Sequence, residues 1–480
     1  MPRLYQSSPR LTFVVLAAAA AAFSLMQSLV TPVLPTIQRD LHTSAGTVTW
    51  VLTAWLLAAS VATPLMGRIS DMIGKDRTLL IALAAIAVGC LVAAIAPNIG
   101  VLIVARVLQG LGGAVFPVSF GILRDEFRPA QVSSAVGAMA AVIATGSGLG
   151  IVLAGPIAGA LNWRWLFWIP MGVVVLVAVA AWRLVPASPH RTPGRVNWPA
   201  SLLLSAWLVA LLLPLSEATS WGWGSARTIS LIIGAVLLFA GWLAAELRSA
   251  NPLIDMRMMR LPAVWTTNLV ALLFGAVMFG VFAFLPQLMQ VPAVSGYGFG
   301  ASVTAAGLLM LPMLVMMAIF GSLSGPMSRW IGSKAQLLGG AALSALACLS
   351  LALEHGERWP VATAGAVFGI GLGLVYSSMI NLIVQSVPMH QTGTASGMNT
   401  NIRTIGASIG TAVVSSIITS HPGPAGLPAE SGYTTSFIVL AVTGVAALLV
   451  ALLVPATRRP APARADEPVE AIPELTPVEA

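Results

Sequence analysis

Five charged residues crowd into the stretch Gly67–Arg77, "GRISDMIGKDR", between two long apolar runs. Each run, 46–66 and 78–97, has about the 20 mostly apolar residues that a bilayer crossing needs. Gly67, Ser70 and Gly74 leave room for two helix ends to approach. Asp71 is then placed to accept hydrogen bonds from a neighbouring helix N-terminus. Lys75 and Arg77 are expected to hold the loop at the inner membrane face. A second candidate is Arg106, a guanidinium inside the apolar run "LIVARVLQGLGGA" (102–114). A charge at such depth costs at least ~2.5 kcal/mol by insertion scales and is a functional candidate by default. Arginine does not deprotonate, so any coupling role is that of a fixed positive field on a neighbour. The competing reading is that Arg106 snorkels or ties down backbone carbonyls. A third feature is the run 146–161, where Gly146, Gly150, Gly155 and Gly159 make a small face for close helix contact. Pro156 removes a backbone hydrogen bond from this run and bends it.

The elements that must position these residues follow from composition. Hydrophobic residues make up 57% of the 480 and charged residues 8%, which leaves too little polar surface for a soluble fold. Fourteen apolar spans are expected, at 11–33, 46–66, 78–97, 101–122, 133–160, 164–185, 199–215, 228–245, 264–290, 301–322, 334–353, 361–384, 400–418 and 434–455. With the N-terminus inside, 18 of the 24 Lys and Arg fall in inner loops and tails, four in outer loops, and Arg106 and Arg403 within spans. That asymmetry predicts both termini in the cytoplasm. The net charge of +8 thus reports topology; no basic patch interleaved with aromatics points to nucleic acid. The first span runs too long for a cleaved signal and is expected to be retained. The tail 456–480, rich in Pro, Ala and acid, is expected to be disordered.

Other chemistries lack their parts. Cys90 and Cys348 lie in different spans, which suits core packing and neither a disulfide framework nor a metal site. "GASIG" (406–410) fits a G-x-S-x-G pattern, but Ser408 lies in a continuous apolar span, and His390 and His421 fall in loops on opposite sides. "GIGLG" (369–373) has no preceding strand, and no phosphate-binding loop occurs. No charged or carbonyl filter motif favours a channel. The expectation is therefore a protein that is not an enzyme and needs neither cofactor nor metal.

Two short matches indicate an internal duplication. "GRISDMIGKD" from Gly67 and "GPMSRWIGSK" from Gly325 share Gly, Ser, Ile and Gly in register, 258 residues apart, and "GSGLG" (146–150) and "GASIG" (406–410) match 260 apart. The offset spans eight helices, so the simplest plan is six, two inserted, then six. Expected boundaries are a cytoplasmic N-terminus 1–10, a first bundle 11–190, an inserted pair with linkers 191–260, a second bundle 261–455 and the tail. Parallel repeats of this kind are a transporter design with the substrate between the halves near the midplane.

With these motifs in hand, the chain resembles the major facilitator superfamily, and within it the fourteen-helix drug:proton antiporter branch. The loop after helix 2 matches at Gly67, Asp71, Gly74, Lys75 and Arg77, the helix 4 motif at Arg106, Gln109, Gly110 and Gly112, and the helix 5 antiporter motif at Gly155, Pro156 and Gly159. The resemblance implies an all-α membrane protein of two pseudo-symmetric six-helix bundles plus two inserted helices. The loop set would act as a conformational switch, Arg106, Gln109 and Gly110 in coupling, and Gly155, Pro156 and Gly159 as a hinge. It also implies a monomer in a bacterial cell membrane, exporting drugs, antibiotics or other amphipathic molecules in exchange for protons. A metabolite or nutrient carrier working as uniporter or symporter is the alternative.

Three departures qualify that pattern. Met26 stands where the branch carries an Asp in helix 1, Ile151 replaces a helix 5 Gly, and Ala160 replaces another. No acid falls at mid-membrane, so a proton would need a peripheral site such as Asp40 or Asp71, or an anionic substrate. Polar and aromatic residues at depth are the cavity candidates: Gln27, Thr31, Trp55, Asn268, Phe282, Tyr376 and Asn381. They describe a mainly apolar cavity without negative charge, suited to a neutral or anionic amphipath.

Overall fold

The computed structural model describes residues 8–188, 197–249, 254, 256–388, 391–420 and 427–455. The spanning helices are α1 (Pro9–Leu29), α2 (Ala45–Ile73), α3 (Lys75–Ala94), α4 (Ile99–Glu126), α5 (Pro129–Ala160), α6 (Trp165–Leu184), α7 (Trp198–Trp221) and α8 (Ala226–Arg248), followed by α9 (Pro262–Gln290). A continuous 50-residue stretch, Thr304–Leu353, comes next. At 1.5 Å per residue it would be about two and a half times the bilayer's apolar thickness, and it is broken at Gly332, whose φ of 81° and ψ of 154° are not helical. The two pieces, 304–331 and 333–353, are α10 and α11. The last spans are α12 (Arg358–Ser386), α13 (Thr392–Ser420) and α14 (Glu430–Leu453). Among the described residues this makes fourteen spanning helices in an all-α membrane fold.

Several helices begin on a polar cap that satisfies the otherwise unpaired N-terminal amides. The side chains of Ser8, Ser44, Asn98 and Ser225 accept from the backbone N–H of Leu11, Thr47, Val101 and Thr228 respectively. The start of α3 differs, because Gly74 before it has no side chain. There Ser188, past the end of α6, receives the Lys75 N–H at 2.9 Å, and its own N–H reaches Asp76 Oδ1 at 3.2 Å.

The duplication is visible in the backbone. Gly74 (φ 110°, ψ 141°) and Gly332 (φ 81°, ψ 154°) break their helices in the same conformation at equivalent places in the two halves. Positive φ is strained for residues with a Cβ, and glycine adopts it freely. The second pair of matches does the same packing job in each half. A Cβ on Gly146 or Gly150 would lie 3.1 or 2.5 Å from the carbonyl oxygen of Ala21 or Leu25 in α1. On Gly406 or Gly410 it would lie 1.8 or 2.4 Å from that of Leu272 or Ala276 in α9. Small residues thus let the fifth helix of each half lie against its first.

The inserted pair, α7 and α8, packs together through Trp207 and Trp242, whose rings stack with centroids 5.8 Å apart. Ala200, Leu204, Leu208 and Leu212 of α7 join an apolar cluster with Leu57, Val61 and Leu65 of α2 and Ala395 and Met398 of α13. The pair therefore lies against the seam between the halves. Trp223, just past the end of α7, is exposed and donates its indole N–H to Ser416 Oγ at 2.7 Å.

Two expectations are corrected. The stretch Gly67–Arg77 is not a loop: α2 continues to Ile73 and α3 starts at Lys75, with one glycine between. Its charges read as a solvated turn because the sequence does not show that Lys75 finds a buried partner. In α5, close packing comes from Gly146, Gly148 and Gly150, whereas Gly159 is exposed and a Cβ there would meet nothing within 4 Å. The tail expected to be disordered lies outside the described residues, as does most of the linker before α7.

Candidate functional site: a central cavity closed at one face

α1 begins, α2 ends and α13 begins at the face that carries the N-terminus, termed the near face here. At that face the halves meet. Thr394 Oγ1 of α13 donates to Asp71 Oδ2 of α2 at 2.9 Å, with Asp71 only 4% exposed. Arg124, in the last turn of α4, donates from Nη1 to Thr392 Oγ1 at 2.5 Å. Between these links the two backbones nearly touch: a Cβ on Gly67 would lie 3.3 Å from the Gly393 carbonyl oxygen, and one on Gly397 3.3 Å from that of Thr63. The acceptor role expected of Asp71 toward a helix N-terminus is thus filled by a side chain in the first turn of α13.

The rest of the motif has other work. Lys75, 2% exposed, forms a 2.6 Å ion pair with Asp125 of α4, whose side chain is 4% exposed. Expected to hold the turn at the inner face, it is buried there in an ion pair within the first half. Its side chain passes Gly121, where a Cβ would stand 3.0 Å from Lys75 Cε. Arg77 is exposed.

Beyond the near-face contact, toward the far face, lies a cavity in two connected lobes. The larger has a volume of ≈ 400 Å³ and the smaller ≈ 60 Å³, together in the range of small-molecule sites. Both are lined by Gln27, Trp55, Ser147, Phe279, Phe282 and Thr404. The larger reaches Thr31, which is exposed, together with Ser408 and Thr411 of α13. The smaller reaches inward to Tyr376, Asn401 and Arg403. Of the seven residues expected to line a cavity, Gln27, Thr31, Trp55, Phe282 and Tyr376 do so. Asn268 does not: its Oδ1 accepts from Asn399 Nδ2 at 2.9 Å in the packed interface of α9 and α13. Asn381 is 1% exposed and lies outside both lobes.

Arg106 is fully buried. Its Nε donates to the Val51 carbonyl of α2 at 3.0 Å, and its Nη1 to Gln109 Oε1 at 2.7 Å. The guanidinium also stands 5.4 Å from the centre of the Trp55 ring, which lines the cavity. It therefore holds the α2 backbone and touches the cavity wall from behind. Gly110 lets α4 meet α2, since a Cβ there would lie 2.5 Å from Ala58 Cβ. Met26, 2% exposed, packs its Sδ 3.8 Å from Cys90 Sγ, which in turn is 3.6 Å from Gln109 Nε2. Position 26 is thus inside the first half, one residue removed from the Arg106–Gln109 pair. At the far face, Asp40 Oδ2 accepts from Trp163 Nε1 at 2.9 Å.

Arg403 has a place in the site that its sequence context does not announce. It is 5% exposed, donates to Tyr376 Oη at 3.0 Å and lies 4.4 Å over the Tyr376 ring. Its signal is the charge count, in which Arg403 and Arg106 are the two cations inside spans. What the sequence does not show is which of them faces the cavity.

Comparison with known proteins agrees with this geometry. Residues 16–411 match the Major Facilitator Superfamily. The chain is 31% identical over 478 residues to the cephamycin export protein CmcT of Amycolatopsis lactamdurans, covering 96% of each. It is 30% identical over 418 residues to the tetracenomycin C resistance and export protein of Streptomyces glaucescens, covering 86% of this chain and 76% of that one. Its fold is similar to that of the human organic anion transporter MFSD10 (TETRAN), with a TM-score of 0.69, 16% identity, and coverage of 93% of this chain and all of the other. The chain belongs to the major facilitator superfamily and is a multi-pass membrane transporter.

Proposed function

We propose that this protein exports drugs, antibiotics or other amphipathic small molecules across a bacterial cell membrane by alternating access, as part of the fourteen-helix drug:proton antiporter branch. The observation that carries the reading is the pairing of a closed near face with a cavity beyond it. Two pseudo-symmetric halves that touch at one face and leave space toward the other can rock about a central site. Two relatives named for antibiotic export support the substrate class. The excess of Lys and Arg in the loops and tails of the near side supports a reading in which that face and both termini are cytoplasmic. Reporter fusions after Gly222 and at the C-terminus test this orientation and should report opposite sides; the same side for both would refute it.

Proton coupling carried by the protein itself, and not by an anionic substrate, needs a carboxylate that changes its surroundings during the cycle. Asp71 is the candidate, because it is buried where the halves separate. A second reading, uniport, draws on the absence of any acid from the described lining of either lobe and on Met26 in the core of the first half. Everted membrane vesicles with tetracenomycin C and cephamycin C as probes test export and coupling together. Accumulation that collapses with a protonophore is expected, equilibration indifferent to protonophore supports uniport, and no protein-dependent uptake of either probe would refute export. Met26→Asp would place a carboxylate in the core of the first half, one residue from the Arg106–Gln109 pair, and its expected effect is a shifted pH dependence of uptake. An unchanged profile would mean that position 26 serves packing alone.

A further inference from the structure

We infer that the small inner lobe of the cavity is a subsite for an anionic oxygen, a carboxylate or an ionised phenol or enol, with Arg403 as its anchor. Among the described residues, Arg403 donates from Nη2 to Tyr376 Oη, while its buried Nη1 has no partner. Three other buried polar groups from residues of the same lobe, Ser60 Oγ, Asn401 Nδ2 and Trp55 Nε1, also lack partners there. No Asp or Glu lines either lobe among the described residues.

An unpaired buried donor loses its water without gaining a partner, and an unpaired buried cation loses far more. Four such groups on residues that line one small space, with no acid among that lining to answer them, define what would complete the site. The missing group is an acceptor carrying negative charge, and guanidinium binds such oxygens through short charge-assisted hydrogen bonds. Arg106, whose Nη2 is also unpaired, does not serve this way, because it lines neither lobe and its other nitrogens bond Val51 and Gln109.

The two lobes divide the ligand. By size, the ≈ 60 Å³ space beside Arg403 suits a small charged group and the ≈ 400 Å³ lobe an apolar or aromatic body. Leu56, Met278, Phe279 and Phe282, with Trp55 and Gln27, border both, whereas Arg403, Tyr376 and Asn401 belong to the small one alone. The backbone at Arg403 is fixed by the crossing of α9, since a Cβ on Gly275 would lie 2.2 Å from the Arg403 carbonyl oxygen. The cation is therefore presented from a rigid helix contact, so its position is set before the ligand arrives.

This inference rests on reading the cavity as the substrate site, but it needs no export and is tested at equilibrium. The probes are 1-naphthaleneacetate and 1-naphthaleneacetamide, which share one aromatic body and differ in charge, titrated calorimetrically into the purified full chain. The wild type should bind the acetate at least about tenfold more tightly than the amide, the scale of one charged hydrogen bond. Arg403→Gln should remove that preference while leaving amide affinity within about twofold, and Arg403→Lys should keep part of it. Equal affinity of the wild type for both probes, binding of neither at millimolar concentration, or an equal loss for both in Arg403→Gln would overturn the assignment. The wild-type preference is decisive even where the glutamine variant does not fold. Failed vesicle export with an intact acetate preference would refute export and leave the subsite standing.

Discussion

Replacing Lys75 with methionine is expected to cost about 3–5 kcal/mol of folded-state stability, the range for breaking a buried ion pair on one side. The reason lies in what remains. Lys75 and Asp125 are 2.6 Å apart and nearly inaccessible, so the variant leaves a carboxylate in the packed first half with its counter-ion gone. Thermal unfolding in detergent should show a much lower midpoint for Lys75→Met. The double variant Lys75→Met/Asp125→Leu should recover most of the loss, because a pair replaced by apolar groups no longer carries a stranded charge. Arg77→Met is the control: the side chain is exposed two positions away and should change stability little. A single Lys75 variant as stable as the wild type would mean that the pair does not hold α3 to α4.

That prediction separates two jobs that the sequence presents as one. Gly67, Asp71, Gly74, Lys75 and Arg77 read together as a switch motif, yet their side chains go to different places. Asp71 reaches across to Thr394 of the other half, Lys75 stays inside its own half, and Arg77 faces outward. The spacing of charges in sequence cannot show this, because the partners lie 323 and 50 residues away.

The larger plan is legible because bilayer physics writes it plainly. Apolar runs of spanning length mark the helices, and the match between Gly67 and Gly325 locates the two positive-φ breaks at Gly74 and Gly332. The cavity is legible in part. Gln27, Trp55 and Tyr376 stand out by polarity or aromaticity at depth, and depth can be read from position along a span. The direction in which a side chain points cannot be read in helices apolar on every side, and so Asn268 and Asn381 are expected to face the cavity and do not. The same limit hides Arg403, which is one turn along the same helix from Asn399, the partner of Asn268. It also leaves Gly159 among the close-packing glycines although its surroundings are open.

The central claim is that the near-face contact between α2 and α13 must part for transport, and a reversible cross-link tests it most directly. A Cβ on Gly393 would lie 3.2 Å from Ser70 Oγ, close enough for Ser70→Cys and Gly393→Cys to join with little backbone movement. The native thiols, Cys90 and Cys348, are buried and sit in different helices, so oxidation should be confined to the new pair. In proteoliposomes the oxidised double variant should lose transport to background and regain it on reduction, while each single variant stays active under oxidant. Binding of 1-naphthaleneacetate from the far side should persist in the locked protein, since the cavity lies beyond the bond. Full cross-linking with undiminished transport would contradict the account, for it would show that these two helices stay together throughout the cycle.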